Sequence, residues 1–535
     1  MDISSRINEA LGYIKKEDYK SAEEIYLKLL AEQPENPILL SFCAYLYMTE
    51  KRYEDAEELF EKGAEISKSN SILSGLANIK YILRKYQEAV PLFINLIKQE
   101  PKNEYYEKLT NSFSNLIALG KNQYTQAAYE YAFEGVKKFP LDKTILLNFS
   151  IACLYSGHFA ESEKYCSLVL KQDSKYPAAW SHLGLIKECL YCDEKGAQEC
   201  YKKAIEYGIG HSGYYDLGVS YSKTGDFELA HENLEKALEL LPNNETVMLA
   251  IAHNYFRQRN FELGYQYYTK QNDSSGVRNL KNIWDGLSHQ DKTIFVYPDL
   301  AYGDHIMFMR YVPFLKDKFK SVKVFVYPQL KRFFEGNFDV EFVENIPDYD
   351  YSAALSKLPY YLDMDFSNIP ASNGYLNATP ADIKSDKLKI GICWEAGNSD
   401  LRTTIHRSVS IKEFSPIFDD RFEIYSFQVN SSSDDYLKYN LTDLGKGFKD
   451  FADTASALKS MDVLVSVDTS VANLAGALGV RTFMLLPYYA DWRWFDNIET
   501  TEWYESVKIF KQTCKNSWEN EFQRIYQELT LMIKK

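Results

Sequence analysis

Residues 214–242, YYDLGVSYSKTGDFELAHENLEKALELLP, set Leu217, Gly218 and Tyr221 on one helical face, break at Thr224-Gly225-Asp226, and resume helical spacing at Phe227, Ala230, Leu234 and Ala237 before Pro242. That pattern predicts two helices joined by a tight turn. Its core, a ring, a small residue three positions on and a bulky side chain four further, recurs along the first half of the chain. It reads Tyr19/Ala22/Tyr26, Tyr53/Ala56/Phe60, Tyr86/Ala89/Phe93, Tyr124/Ala127/Tyr131, Phe159/Ser162/Cys166, Ala197/Tyr201 without the leading ring, Phe227/Ala230/Leu234 and Phe261/Gly264/Tyr268. Successive small residues stand 34, 33, 38, 35, 35, 33 and 34 apart. A period near 34 marks a helix-turn-helix repeat, and a small residue one turn before a ring lets two helices approach closely.

The fuller pattern in 214–242 resembles the tetratricopeptide repeat. The resemblance implies an all-helical solenoid over residues 1–275, with a groove that holds a protein partner and performs no chemistry itself. Chemistry is therefore expected in the remaining half.

Composition narrows the class. The hydrophobic fraction is 45 %, ordinary for a globular protein, and no apolar run approaches the roughly 18–20 residues that span a bilayer. The first twenty residues carry charges at helical spacing and lack the apolar centre of a secretion signal, which leads to the expectation of a cytoplasmic protein. A net charge of −14 disfavours nucleic acid as a partner. The eight cysteines show no disulfide framework. Cys189-Leu-Tyr-Cys192 has the spacing of a metal or redox pair, but it lacks a second pair and falls between the helices of repeat six, a packing position.

After a polar linker at 276–290 the pattern changes. Thr293–Tyr297 reads as a strand, 302–305 as a turn, Ile306–Lys318 as a helix, Val322–Val326 as a strand, 328–336 as a helix and Val340–Val343 as another strand. Beyond Pro380 a second series follows: strand Leu388–Trp394, helix 411–418, strand Phe422–Phe427, helix Thr454–Lys459, strand Val463–Val467, helix Val471–Gly479 and strand Thr482–Leu486. Alternating elements of this kind predict two doubly wound, Rossmann-like halves, 291–385 and 386–535, facing a cleft.

In the second half, a buried strand ends at Asp468-Thr469-Ser470 and a helix of small residues begins at once. Asp, Thr and Ser are good N-caps, and the first-turn amides with the helix dipole make an anion site that a nucleotide diphosphate would fit; an ordinary capped helix is the alternative.

The run VSVDTSVANLAGALGV (465–480), with DFADTASALKSMD before it and LLPYYADWRWF after it, resembles the carboxy-terminal domain of bacterial tetratricopeptide-repeat glycosyltransferases, relatives of the heptosyltransferases and more distantly of the O-GlcNAc transferases. GICWEAGNSDLRTTIHRSVSIKEFSPIF (391–418), YPDLAYGDHIMFMRYVPFL (297–315) and YDYSAALSKLPYYL (349–362) are similar to further segments of that family, in the same order. The resemblance implies a solenoid followed by a GT-B-like pair of halves, an inverting and metal-independent transferase, and a nucleotide sugar as co-substrate with no other cofactor. It implies as acceptor a Ser, Thr or Asn of a bacterial surface protein such as a flagellin or adhesin.

The same resemblance distributes roles. Asp304, after Gly303, is the candidate base, with helix capping as its alternative, and His305 is a second candidate base. Arg407-Ser408 would meet the leaving diphosphate, with Arg402 and His406 as understudies. Thr469, Ser470 and Val471 would offer amides to the phosphates and Asp468 would meet a sugar hydroxyl. Gln428, Asp453 and Thr454 fall on the nucleotide side; Trp394, Gly397 and Asn398 line the cleft floor. Trp492 and Trp494 are open between packing and binding. Asn473 stands where the family carries His, so it can hydrogen-bond but cannot carry charge near neutral pH. Asp363-Met-Asp365 matches a metal-binding Asp-x-Asp pattern and gives a competing, metal-dependent reading. A noncatalytic repeat scaffold and a lipopolysaccharide-type transferase are the rival functions.

Overall fold

The computed structural model describes residues 3–118, 121–270, 280–364, 369–397, 407–429, 431, 434–495, 499–515 and 517–533. Sixteen α-helices run from Ile3 to Tyr268 in eight consecutive pairs. Second helices begin at the rings read from sequence, as in Tyr19–Glu32, Tyr53–Ile66, Tyr86–Gln99, Phe159–Gln172, Phe227–Leu240 and Phe261–Tyr268. Ala22, Ala56, Ala89, Ser162, Ala197 and Ala230 are fully buried, as close helix packing requires.

Repeat four departs by one position. Ala128 and Ala132 are buried, while Ala127 and Tyr131 stay partly exposed. The preceding helix, Asn103–Ala118, is long, and a 3-10 turn at Asn122–Tyr124 precedes Thr125–Lys138. Counting from Ala128 restores the 34-residue step to Ser162, and the surplus residues fall in that connection.

Two compact units result, one ending at Ile186 and the other beginning at Lys187. The repeat pattern puts the boundary near 275, whereas the last repeats share a unit with the α/β elements. Ala252, Phe256, Tyr265 and Tyr268 lie in one apolar core with Ile294, Met307, Leu355 and Trp492, which explains the shared unit.

The second unit holds two parallel sheets. The first comprises β1 (His289–Tyr297), β2 (Phe319–Phe325), β3 (Glu341–Val343) and β4 (Tyr351–Ala354) in the order β3-β2-β1-β4. The second comprises β5 (Leu388–Cys393), β6 (Phe422–Ser426), β7 (Thr442–Asp443), β8 (Val463–Val467), β9 (Thr482–Leu486) and β10 (Val507–Lys511) in the order β10-β9-β8-β5-β6-β7. All pairings are parallel. β8 and β9 are buried along their whole length, as strands covered on both faces must be.

The expected helix at 306–318 divides into Tyr302–Phe308 and a 3-10 stretch, Met309–Asp317, that contains Pro313. Ile411–Ile417 is likewise 3-10 and contains Pro416. Proline lacks the N–H that a continued α-helix needs. The sheet order places the first strand of each series centrally. The chain then builds outward on both sides, so the order reverses where β5 meets β8, the point beyond whose strand ends sheets of this kind have their ligand crevice.

Candidate functional site

β8 delivers Asp468, Thr469 and Ser470 to that crevice. Thr469, extended at φ −138°, caps helix Ser470–Ala477: its Oγ1 accepts from Ala472 N at 3.2 Å. The amides of Ser470 and Val471 precede the first intrahelical bond and so lie at the positive end of the helix. Arg407 enters from beyond β5. Its Nη2 donates to the Asp468 carbonyl at 2.7 Å and lies 3.5 Å from Asp468 Oδ2. Arg407 Nε has no partner among the described residues, and about a quarter of the side chain is accessible, 26 %. Asp468 Oδ2 also accepts from Trp494 Nε1 at 3.2 Å.

The sequence reads 302–305 as a turn, but Gly303 and Asp304 lie in the first turn of helix Tyr302–Phe308, which packs onto the same helix. A Cβ on Gly303 would lie 3.1 Å from Asn473 Nδ2 and 3.5 Å from Ser470 Cα, so the close approach depends on a residue without a side chain. Asp304 keeps 20 % of its side chain accessible, and its Oδ1 is 2.7 Å from Arg493 Nε. Burial pushes the Asp304 carboxyl above its ordinary range; Arg493 and Arg407 pull it down, while Asp491 and Asp468 push it further up. Asp491 behaves oppositely. Burial raises it, but Arg493, with Nη1 2.7 Å away, and His253 win and hold it at about 2.

Other residues singled out in the sequence are spent on structure. His305 is buried against the rings of Tyr327 and Phe334, each 5.4 Å away, with neither ring nitrogen partnered among the described residues, and burial holds its imidazole down to about 3. It is a core residue, ill suited to serve as a base. Asn473 is buried; Nδ2 donates to the Thr469 carbonyl at 3.0 Å and Oδ1 accepts from Tyr504 Oη at 3.1 Å. Gln428 Oε1 accepts from the amides of Trp394 and Glu395 at 3.3 and 3.0 Å, and Nε2 donates to the Glu395 carbonyl at 3.3 Å. Ser408 Oγ accepts from Ala396 N at 3.1 Å. Asp453 is bound by Arg332, which also pairs with Asp450 Oδ1 at 2.6 Å, and Thr454 Oγ1 donates to the Asp450 carbonyl at 3.3 Å. Trp492 and Trp494 are packed in the core. Gly397 has no atom of the described residues within 4 Å of its Cβ position. Asn398, Arg402, His406 and Asp365 lie outside the described residues, and Asp363 is exposed with φ +54°. Cys189 is buried and Cys192 half-buried.

A cavity of about 320 Å³ opens at the ends of β5, β6 and β7, lined by Trp394, Ser426, Gln428, Val429, Ser431, Tyr436, Asp443 and Lys446. The Trp394 and Tyr436 rings lie 5.7 Å apart, Lys446 Nζ is 5.4 Å from the Tyr436 ring, and Asp443 Oδ1 is buried without a partner among the described residues. Aromatic faces beside a carboxylate and an ammonium suit a nucleoside. Asp443 and Lys446 carry no motif in the sequence, since they sit in a short edge segment. Arg493 and Asp491 lie inside LLPYYADWRWF, where the two tryptophans are the stronger sequence signal. Among the described residues, Glu57, Glu61 and Glu88 stand close enough to share a cation, and Lys80 Nζ occupies their centre at 3.0, 2.7 and 2.6 Å.

Comparison with known proteins bears on the repeats. Tetratricopeptide-repeat family models match residues 13–79 and 211–244. The chain is similar to anaphase-promoting complex subunit 3 of Schizosaccharomyces pombe, 22 % identical over 273 residues, covering 50 % of this chain and 35 % of that protein. It is also similar to a TPR repeat-containing protein of Methanocaldococcus jannaschii, 24 % identical over 319 residues, covering 49 % of this chain and 55 % of that one. The chain thus spans about a third to just over half the length of these curated relatives. A solved tetratricopeptide repeat protein from Parabacteroides merdae aligns with a TM-score of 0.42 at 15 % identity, over 49 % of this chain and 98 % of that one. The amino-terminal half carries tetratricopeptide repeats, an architecture that binds protein partners. No helix among the described residues is long and apolar enough to cross a membrane.

Proposed function

We propose that the two parallel sheets form a GT-B-like glycosyltransferase that moves a sugar from a nucleotide-sugar donor to a polypeptide acceptor recruited by the repeats. The observation that carries this reading is the packing of the first turn of helix Tyr302–Phe308, with Gly303 and Asp304, against the capped start of helix 470–477, which brings a carboxylate close to a polarised helix end. In the proposed step Asp304 takes the proton of the acceptor hydroxyl or amide. The acceptor atom bonds to the anomeric carbon as the bond to the diphosphate breaks, and the electron pair leaves on the diphosphate. Arg407 and the Ser470 and Val471 amides stabilise that growing charge, so no metal is required. The cavity beside Trp394 and Asp443 takes the nucleoside.

The acceptor is a Ser, Thr or Asn side chain of a bacterial surface protein, modified in the cytoplasm. The test is melting-temperature measurement with ADP, UDP, GDP and CDP, followed by mass spectrometry of candidate acceptors incubated with the matching nucleotide sugars. A nucleoside diphosphate that stabilises the protein and a sugar mass added to a polypeptide support the reading. No stabilisation by any of the four removes it.

One arrangement favours a noncatalytic scaffold instead: Asp304 is engaged by Arg493, and Asp468 by Arg407 and Trp494. Under that reading the charges hold the two sheets together and the repeats alone bind partners. Sugar added to lipid-linked glycan but to no protein would point to the lipopolysaccharide-type transferase.

A further inference from the structure

The segment Pro487–Phe495, after β9, is held from two sides. On the sheet side Arg493 meets Asp304 and Asp491, each at 2.7 Å, and the Arg493 carbonyl accepts from Trp503 Nε1 at 2.9 Å. On the other side stands the eighth repeat, helices Glu245–Arg257 and Phe261–Tyr268. The Trp492 ring lies 4.5 Å from Phe256 and 5.8 Å from His253 between centroids, and Phe261 meets Phe495 edge-on at 5.8 Å. Arg259 pairs with Glu502 at 2.6 Å and covers the Phe495 ring at 4.8 Å. The Arg493 guanidinium is itself 5.1 Å from the Trp492 ring. Phe256 therefore touches Trp492, and Trp492 borders the cation that faces Asp304. A Cβ on Gly264 would lie 2.4 Å from the Phe256 ring, so that ring holds its place only because position 264 is glycine.

We propose that the eighth repeat is a wall of the candidate site: through Phe256 and Trp492 it fixes Arg493 as the positioning residue of Asp304. The role of Asp304 as base rests on the transferase reading; the mechanical link from repeat to carboxylate does not.

Asp304 is faced by two cations, Arg493 and Arg407, and two carboxylates, Asp491 and Asp468, and it interacts with the hydroxyls of Tyr268, Tyr327 and Tyr504. His253 acts on Asp491 and Arg493 rather than on Asp304 directly. In so balanced and poorly hydrated a cluster, a small displacement of the nearest cation changes the charge of the carboxylate strongly. A polypeptide seated on the terminal repeat gains through this wall a direct means of altering the base.

The test uses the full chain and follows the carboxyl band that Asp304→Asn removes from pH-titrated infrared difference spectra. Arg493→Gln should move its midpoint to higher pH, and Arg493→Lys should recover part of that shift. Gly264→Ala, which displaces Phe256, should move the midpoint in the same direction without touching a charge. Gly75→Ala, in repeat three, is the control, because a Cβ there would lie 2.2 Å from the Phe60 ring of repeat two, far along the chain from the site; it should leave the midpoint in place. Where Gly264→Ala fails to fold, Phe256→Leu replaces it with the same expected direction. A midpoint unchanged in Arg493→Gln, unchanged in folded Gly264→Ala or Phe256→Leu, or shifted equally in Gly75→Ala, overturns the proposal. Melting curves with ADP, UDP, GDP and CDP, taken in parallel, decide the transferase reading separately, since the midpoints are read with no ligand present.

Discussion

Gly303, in the first turn of helix Tyr302–Phe308, meets Asn473 of helix 470–477, where a Cβ at 303 would lie 3.1 Å from Asn473 Nδ2. Asn473 Nδ2 donates to the Thr469 carbonyl and its Oδ1 accepts from the Tyr504 hydroxyl, so both ends of its amide are engaged at this contact. Gly303→Ala should cost about 1–3 kcal/mol through overpacking. Asn473→His, which restores the residue of the resembled family, should cost a similar amount because the larger ring enters the same closed space. Denaturant unfolding of both variants checks this. An Asn473→His protein as stable as the parent would mean that the turn and the helix part easily.

Removal of Arg407 tests the anion site. Excess nucleoside diphosphate stabilises a protein in proportion to the logarithm of its concentration over Kd, roughly 2.7 kcal/mol at a hundredfold excess. Arg407→Ala should lose most of that gain while unfolding at nearly the parental temperature without ligand, since the hydrogen bond and ion pair of Arg407 among the described residues both go to Asp468, through its carbonyl and carboxylate. A full ligand shift in the variant would place the phosphates elsewhere.

Asp304→Asn should lower transfer by about 10² or more and leave nucleoside diphosphate binding intact. Arg493 would lose its counter-charge, yet Asp491 remains bound to it at 2.7 Å, so the loop should hold. Turnover at the parental rate in a folded protein would make Asp304 a helix residue and nothing more.

The repeats were legible because their signal is periodic and dense: a ring and a small residue every 34 positions leave little freedom in which face is buried. The exception, repeat four, slipped by one residue where an insertion broke the period. In the second half, the buried runs at 463–467 and 482–486 announced strands, but β4 and β10 carry too few apolar alternations to stand out. The site was harder. Asp468, Arg407 and Asp304 could be picked by residue type and by resemblance, yet whether a polar residue faces the crevice or the core depends on neighbours distant in sequence. His305 adjoins Asp304 and points instead among Tyr327 and Phe334, and Asp453 is taken up by Arg332. Arg493 escaped notice because its partners, Asp304 and the eighth repeat, come together only in the fold.

His305 gives a pH prediction. Its folded-state pKa, about 3, lies below the usual 6.5, so the native protein binds fewer protons than the unfolded chain. The associated stability is present above the unfolded pKa and is lost as pH falls from there toward the folded value, a loss of about 2 kcal/mol between roughly pH 7.5 and pH 5. His305→Leu should remove that part of the acid sensitivity; the share due to His182 and His253, each held down to about 4 by burial, would persist. At neutral pH the variant should be no less stable, because two buried ring nitrogens without partners are replaced by apolar atoms. Equal acid sensitivity of variant and parent, from chemical denaturation across pH, would contradict the burial of a neutral His305.

The boundary at Lys187 leads to a pair of truncations with opposite outcomes. A protein beginning at Lys187 keeps the helices of repeats seven and eight and the contact of Lys515 with Glu194 and the Cys192 carbonyl. It should unfold cooperatively and retain nucleoside diphosphate binding while losing most polypeptide modification, since the first five repeats are gone. Truncation to residue 280 takes away Ala252, Phe256, Tyr265 and Tyr268, which share a core with Trp492, Met307 and Leu355. Losing two or more buried rings costs about 3–5 kcal/mol apiece, comparable to the whole stability of many domains. That shorter protein should aggregate or unfold without a sharp transition. If instead it melted as sharply as the longer one and still bound nucleoside diphosphate, the terminal repeat would be an attachment to the α/β half and not a part of it.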